Sequence, residues 1–221
     1  MEKLFLFDID GTLLRSGGAG KRSFDKAFFS LFGIESAFKN VDMHGMLDPI
    51  IYKNALDYHG IKENGFNEFK NLYIEYLKEE SQNPKGWYTV DGVFDFLTKY
   101  QDLAYFALLT GNIFEGAVIK LSTLNLIQYF PDAETGAFGD DAEQRKYLGD
   151  KALNKLNIKY GLKFSPENIF VFGDTQHDIA VAKHIGAKSI ALSSGGISLE
   201  TLSEYNPDIL ANNFQEIIDN F

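Results

Sequence analysis

Acidic and hydroxyl residues stand directly behind apolar runs at three widely separated places in this 221-residue chain. Asp8 and Asp10 follow Leu4-Phe5-Leu6-Phe7, and Thr110, with Gly111 and Asn112, follows Tyr105-Phe106-Ala107-Leu108-Leu109. Asp174, with Asp178 just beyond it, follows Ile169-Phe170-Val171-Phe172-Gly173. If these runs are strands of one open parallel sheet, their carboxyl ends share the crevice in which such sheets bind ligands. Four carboxylates gathered there repel one another: two unit charges ~4 Å apart cost about 4 kcal/mol at an effective dielectric of about 20. A hard divalent cation relieves that repulsion. Carboxylate and carbonyl oxygens without a Cys or His ligand cluster suit Mg²⁺. Cysteine is absent, which excludes disulfide scaffolds, thiolate zinc sites and thiol nucleophiles.

Positioning these residues requires a particular framework. The three runs, with Ile190-Ala191-Leu192 ahead of Ser193 and a weaker run at Ile209-Leu210-Ala211, are continuously apolar rather than alternating. That pattern marks strands buried on both faces, as in a parallel sheet. Leu153, Leu156 and Tyr160, then Ile179, Ala182 and Ile185, recur at helical spacing between the later runs. The expectation is an α/β protein with a three-layer, Rossmann-like parallel sheet and right-handed crossovers. Residues 15–85 read differently. Phe24, Ala27, Phe28, Leu31 and Phe32 form one apolar helix face, Phe66, Phe69, Tyr73, Tyr76 and Leu77 another, and Ile50, Ile51 and Leu56 suggest a helix between them. The sequence thus predicts a helical cap (15–85) inserted after the first strand of a core made of 1–14 and 86–221. The expected hinges are Ser16-Gly17-Gly18-Ala19-Gly20 and Ser81-Gln82-Asn83-Pro84-Lys85-Gly86.

Composition narrows the function. Hydrophobic residues make up 45% of the chain and 20 residues are phenylalanine, enough for a sizeable core and too much for a disordered segment. With 21 Lys and Arg against 31 Asp and Glu, the net charge is −10 and no basic run exists to hold a nucleic acid. No stretch approaches a membrane span, and Met1-Glu2-Lys3 does not begin a signal-peptide pattern. The expectation is a cytoplasmic protein, monomer or homodimer, that binds neither nucleic acid nor membrane and admits an anionic substrate only through a metal or local cations.

Asp8-Ile9-Asp10-Gly11-Thr12-Leu13-Leu14 resembles the first motif of the haloacid dehalogenase (HAD) superfamily. Leu108-Leu109-Thr110-Gly111-Asn112 is similar to its second, and Gly173-Asp174-Thr175-Gln176-His177-Asp178-Ile179 to its fourth. Order and separation agree across nearly the whole chain, and the stretch from Thr110 to Gly196 looks most like phosphoglycolate-phosphatase-like hydrolases. The resemblance implies a Mg²⁺-dependent phosphatase for a small phosphorylated metabolite. Asp8 would be the nucleophile that forms an aspartyl-phosphate, and Asp10 the acid that protonates the leaving alkoxide and then activates water. Asp8, the backbone carbonyl of Asp10 and Asp174 would hold the metal, with Asp178 close by. Thr110 and the backbone N–H groups of Gly111 and Asn112 would hold phosphoryl oxygens. A carboxylate at position 10 favours phosphatase over dehalogenase, because a departing halide needs no proton. The family's third motif supplies a cation. No Lys-Pro pair is present, and Arg145 is the candidate, with Lys146 and Lys151 as alternatives.

Plainer readings stand beside these. Thr110-Gly111-Asn112 also reads as a helix N-cap ahead of Phe114, and Asp174 and Asp178 as first-turn acids on a helix dipole. Arg145 reads equally well as a solvated helix-start charge. His44, in Met43-His44-Gly45-Met46-Leu47-Asp48, reads as a solvated loop residue before a substrate contact. His59, His177 and His184 lack metal-ligand spacing. A phosphomutase of the same fold is the nearest rival function, separable by product analysis with a hexose phosphate. A phospho-accepting signalling domain that does not turn over is the rival from another class, but such receivers are about half this length and have no insert.

Overall fold

The computed structural model describes residues 2–62 and 65–221; Met1, Glu63 and Asn64 lie outside the described residues. Strand β1 (Lys3–Phe7) leads through the short β2 (Leu14–Ser16) into helices α1 (Ala19–Phe32), α2 (Asp48–His59) and α3 (Phe66–Gln82). The chain returns through β3 (Trp87–Thr89) to α4 (Val93–Tyr100), β4 (Ala104–Leu108) and α5 (Phe114–Thr123). There follow α6 (Leu148–Tyr160), β5 (Ile169–Gly173), α7 (Gln176–His184), β6 (Lys188–Leu192), α8 (Leu199–Ser203) and β7 (Ile209–Ala211). Strands β4-β1-β5-β6-β7 form a five-stranded sheet, all neighbours parallel. The α/β architecture with a parallel sheet is therefore the one its strand-like runs imply.

Side chains alternate across the pleat, so one apolar run serves two cores. Phe5 and Phe7 face a cluster with Phe96, Tyr100, Phe172 and Phe214. Leu4 and Leu6 face the opposite layer, where α6 and α7 supply Leu148, Ala152, Leu156, Val181 and Ala182. Burial on both sides explains why the run shows no polar alternation. The register pairs Phe7 with Phe172, and their rings stack at 4.8 Å with 20° between planes. This aromatic pair ties together the last turns of β1 and β5, one residue before Asp8 and two before Asp174.

Helices α1, α2 and α3 close on their own apolar cluster around Phe24, Phe28, Phe38, Tyr52, Phe69 and Tyr73, with Ile113 joining from the far side of the sheet edge. The ring of Phe24 meets Phe38, Phe69 and Tyr73 edge-on at 5.1, 5.0 and 4.5 Å. The sequence-level stripes are thus core-facing. Two details differ from expectation. Antiparallel pairing of β2 with β3 makes a two-stranded ribbon where the sequence suggested no strand, straddling position 14 on one side and lying beyond 86 on the other. The helices also extend into the segments expected to be hinges: Ala19 and Gly20 belong to α1 and Ser81 and Gln82 to α3. Three-residue strands carry too little pattern to stand out from flanking turns. Among the described residues no helix is long and apolar enough to cross a membrane.

Truncating Phe172 removes a fully buried ring from the joint between the two site-bearing strands. The expected cost of Phe172→Ala is about 3–5 kcal/mol, read as a lower urea midpoint at unchanged slope. A loss below about 1 kcal/mol would show that the stack does not hold the strands together.

Candidate active site

The sheet ladder continues just past the ends of its strands. Asp8 N donates to Phe172 O (2.9 Å), Leu109 N to Phe7 O (2.8 Å) and Thr110 N to Ala137 O (3.0 Å). These bonds fix the backbones of Asp8 and Thr110. After Asp8 the chain must turn away beneath Asp174, and Gly11 makes this possible. Its φ is +88°, and a Cβ there would lie 2.4 Å from Asp174 Oδ2, so a side chain is excluded by both conformation and space.

Asp8, Asp174 and Asp178 each bring a carboxylate oxygen to within 4.8 Å of the others. All three are buried. Asp178 is held by a capping box at the start of α7: Thr175 N (3.1 Å) and Thr175 Oγ1 (2.8 Å) donate to its Oδ2. Its other oxygen accepts from Arg145, whose Nη2 also lies 3.2 Å from Asp8 Oδ2. The first-turn reading of Asp178 is therefore correct and incomplete, because one carboxylate both caps a helix and meets the cluster. Arg145 opens a short 3₁₀ turn ahead of α6. It is buried, and Nε has no hydrogen-bond partner among the described residues. A solvated charge would not be placed so. Lys146 instead lies 4.9 Å over the Tyr147 ring, and Lys151 is exposed.

Burial sets the electrostatics. It lifts the Asp8 carboxyl to about 6, with Arg145 pulling down and Asp178 and Asp10 pushing further up. Burial, then repulsion from Asp8 and Asp178, raises Asp174 well above the usual carboxylate range, against Arg145 and the Thr12 hydroxyl, which donates to Asp174 Oδ1 (3.3 Å). One guanidinium cannot balance three carboxylates. The remaining negative charge and the all-oxygen donor set fit a hard divalent cation.

On the adjoining wall, Asn112 Nδ2 donates to Thr110 Oγ1 (2.8 Å) and to Asp10 Oδ2 (2.8 Å). The expected helix cap is not seen: α5 begins after Ile113, with no side-chain cap, so Thr110 and Asn112 turn toward each other and Asp10 instead. Asp8, Asp10, Thr110, Gly111, Asn112, Arg145 and Asp174 all line one cavity of about 560 Å³, opposite Phe24, Val41, Met46, Ile51 and Tyr73 of the insert. Asp178 stands behind this surface. His44 reaches its rim, 87% exposed, with Nδ1 3.2 Å from Asp42 Oδ1.

Two buried groups escaped the sequence reading. Lys120 Nζ lies 2.6 Å from both Asp10 Oδ2 and Asn112 Oδ1. Its signal was present, since it shares the buried face of α5 with Gly116, Ala117 and Leu121, where a lysine is out of place. Asp48, at the first turn of α2, latches the insert to the loop after β4. Its N donates to Gly111 O (2.8 Å), and Ile113 N donates to its Oδ2 (2.9 Å). The approach at Gly111 is close enough that a Cβ there would sit 2.0 Å from Met46 O.

The family model described as haloacid dehalogenase-like hydrolase matches residues 2–186. A Clostridium perfringens protein provisionally named as the pyrophosphatase PpaX is 26% identical, the match covering 99% of this chain and 97% of the relative. Phosphoglycolate phosphatase of Vibrio parahaemolyticus is 27% identical over 98% of this chain and 95% of its own. In fold, the chain is similar to a hydrolase from Pseudomonas syringae (TM-score 0.74, 16% identity, 99% and 97% covered). It is also similar to CbbY from Rhodobacter sphaeroides in complex with phosphate (TM-score 0.68, 18% identity, 98% and 96% covered).

Burial, against the pull of Lys120, raises Asp48 from its ordinary 3.8 to about 7. Between those values the folded protein holds a proton that the unfolded chain releases. The stabilising contribution is therefore complete below pH ~4 and disappears as pH climbs toward about 7. An asparagine keeps an acceptor for Ile113 N without that dependence. The melting temperature of Asp48→Asn, minus that of the unsubstituted protein, should become more positive between pH 5 and pH 8. A difference that stays constant with pH would rule out a buried, proton-holding Asp48.

Proposed function

We propose, from the premise that this chain belongs to the haloacid dehalogenase-like hydrolase family, that it is a Mg²⁺-dependent phosphatase acting on a small phosphorylated metabolite. The reading rests on the cluster of Asp8, Asp174, Asp178 and Arg145 at the ends of two adjacent parallel strands. Phosphatase-named relatives over nearly the full chain support it. Asp8 is the nucleophile. Ionisation of a carboxyl lifted to about 6 leaves it mostly anionic at neutral pH, and its oxygen attacks phosphorus to give an aspartyl-phosphate. Asp8 and Asp174, with the backbone carbonyl of Asp10, would hold Mg²⁺, and Asp178 would orient Arg145 behind them. When bound, the metal supplies Lewis-acid charge to a phosphoryl oxygen and offsets the repulsion between the anionic nucleophile and its anionic substrate.

The chain's own groups supply the rest. Arg145 lines the cavity beside Asp8, and its guanidinium would meet a phosphoryl oxygen there. Thr110 Oγ1 and the N–H groups of Gly111 and Asn112 bind the other oxygens, so that charge moving onto them meets fixed donors. Asp10 gives its proton to the departing alkoxide, then takes one from the water that cleaves the acyl phosphate. Residues 15–85 act as a cap through the Gly17–Gly18 and Pro84–Gly86 segments, excluding water from the reacting atoms. The apolar side chains that they contribute shape the space left for the leaving group.

Phosphate release from a panel of phosphomonoesters, with Mg²⁺ and with excess chelator, tests this. Mg²⁺ should support turnover and chelator should stop it. Asp8→Asn should lose at least about 1,000-fold in kcat while keeping its fold by circular dichroism. Turnover retained in Asp8→Asn would overturn the assignment of the nucleophile.

Arg145→Ala leaves two buried carboxylates without their counter-charge, and removal of one partner from a buried pair costs about 3–5 kcal/mol. Arg145→Lys keeps the charge and loses the fork. It should fold with a smaller loss, read by urea unfolding, yet raise KM for the phosphoester. An unchanged KM would mean that Arg145 serves only the carboxylates.

A further inference from the structure

Lys120 is a buried ammonium that none of the functions above requires. Its side chain is 5% exposed, whereas that of Asp10, its partner at 2.6 Å, is 41% exposed. An ammonium withdrawn from water is costly unless it is fully engaged, and this one is engaged in a closed triangle. Lys120 Nζ donates to Asp10 Oδ2 and Asn112 Oδ1, and Asn112 Nδ2 donates back to the same Asp10 Oδ2. Helix α1 passes close enough that a Cβ on Gly20 would lie 3.5 Å from the ammonium.

The triangle has a consequence for the carboxyl of Asp10. Two donors converge on Oδ2, and Oδ1 is left without a protein partner among the described residues. An exposed aspartate on a loop otherwise rotates freely about its terminal torsion, which has a broad preference. Here rotation would break two hydrogen bonds at once. Asp10 lines the cavity with Oδ1 as its one oxygen free of protein donors among the described residues, beside the loop that Asn112 also braces through Thr110.

We infer that Lys120 is the positioning residue for the acid–base carboxyl of Asp10, and that it fits the site to alkyl phosphomonoesters, whose alkoxides do not depart without a proton. The inference rests on the phosphatase reading of the site. In the step concerned, a carboxylate oxygen of Asp8 forms its bond to phosphorus as the bond from phosphorus to the ester oxygen breaks. The electron pair of the broken bond goes to that oxygen, which takes the proton from Asp10 Oδ1 and leaves as the alcohol. Lys120 touches neither phosphorus nor the ester oxygen. It holds the donor within reach at the right angle, and small errors in such placement are expensive in rate.

The test compares two esters in the Mg²⁺-loaded protein: an alkyl phosphate, whose leaving group needs protonation, and p-nitrophenyl phosphate, whose leaving group does not. The parameter is kcat/KM, which reports events up to departure of the leaving group. Lys120→Met should lower it on the order of 100-fold for the alkyl ester and by less than about threefold for the nitrophenyl ester. The double variant Asp10→Asn/Lys120→Met should be no slower on the alkyl ester than Asp10→Asn alone, since the two side chains act as one unit. Should Lys120→Met not fold, Lys120→Arg, which keeps the buried charge but displaces its donors, should show the same selective loss. Equal losses on both esters, or additive losses in the double variant, would overturn the role of Lys120 and leave the phosphatase reading standing. Failure of the unsubstituted protein to hydrolyse either ester would overturn that reading and, with it, this one.

Discussion

Mutual repulsion among buried carboxylates governs the design of this protein. The parallel sheet delivers Asp8 and Asp174 side by side at the ends of β1 and β5, and α7 adds Asp178 one turn later. The surrounding protein carries net charge −10, so no long-range field helps. Local devices must hold the cluster together: the Arg145 guanidinium, the capping box that absorbs one oxygen of Asp178 and the Thr12 hydroxyl on Asp174. Aromatic packing supplies the mechanical part. The Phe7–Phe172 stack and the rings around Phe5 make the two strands a rigid support, so that the charges cannot relax simply by moving apart.

Such an arrangement is unfavourable for folding and useful for chemistry. A nucleophilic carboxylate surrounded by water is stabilised by that water and reacts slowly. Burial removes the water and raises Asp8 to about 6, low enough to ionise at neutral pH. The same burial leaves Arg145 Nε without a hydrogen-bond partner among the described residues. The three carboxylates leave negative charge that one guanidinium does not balance, and an all-oxygen set of this kind fits a hard divalent cation.

Legibility from sequence followed the range of the interactions. The strand ends were readable because each couples a local signal, a doubly buried apolar run, to a residue that is costly to bury. Asp8, Thr110 and Asp174 therefore converged on one crevice from the sheet rule alone. Arg145 was ambiguous because its partners, Asp8 and Asp178, are distant in sequence; burial among them is what distinguishes it from Lys146 and Lys151. The side-chain contact of Asn112 with Asp10, 102 residues away in sequence, was hidden for a similar reason. The β2–β3 ribbon was invisible, being only three residue pairs long. Lys120 and Asp48 were passed over because each hides in an ordinary helical pattern. A lysine on an apolar helix face and an acid beside Pro49 gain meaning only when the opposite wall of the cavity is known.

The two buried cations divide the site between them. Arg145 reaches Asp8 and Asp178 on one side, and Lys120 reaches Asp10 and Asn112 on the other. Each cation offsets the acids beside it, while the charge of Asp10 still pushes the Asp8 carboxyl up. Asn112 is the bridge, bonded to Thr110 of the phosphate loop and to Asp10 by one amide nitrogen. The loop after β4 and the carboxyl of Asp10 are therefore linked through the hydrogen bonds of one side chain. Because α5 carries Lys120 and α2 carries Asp48 onto the same loop, the contacts of the helical insert and of the Asp10 triangle converge on residues 110–113. That short segment is where the apolar wall of the cavity and its charged wall meet, and its backbone leaves no room for a side chain at Gly111.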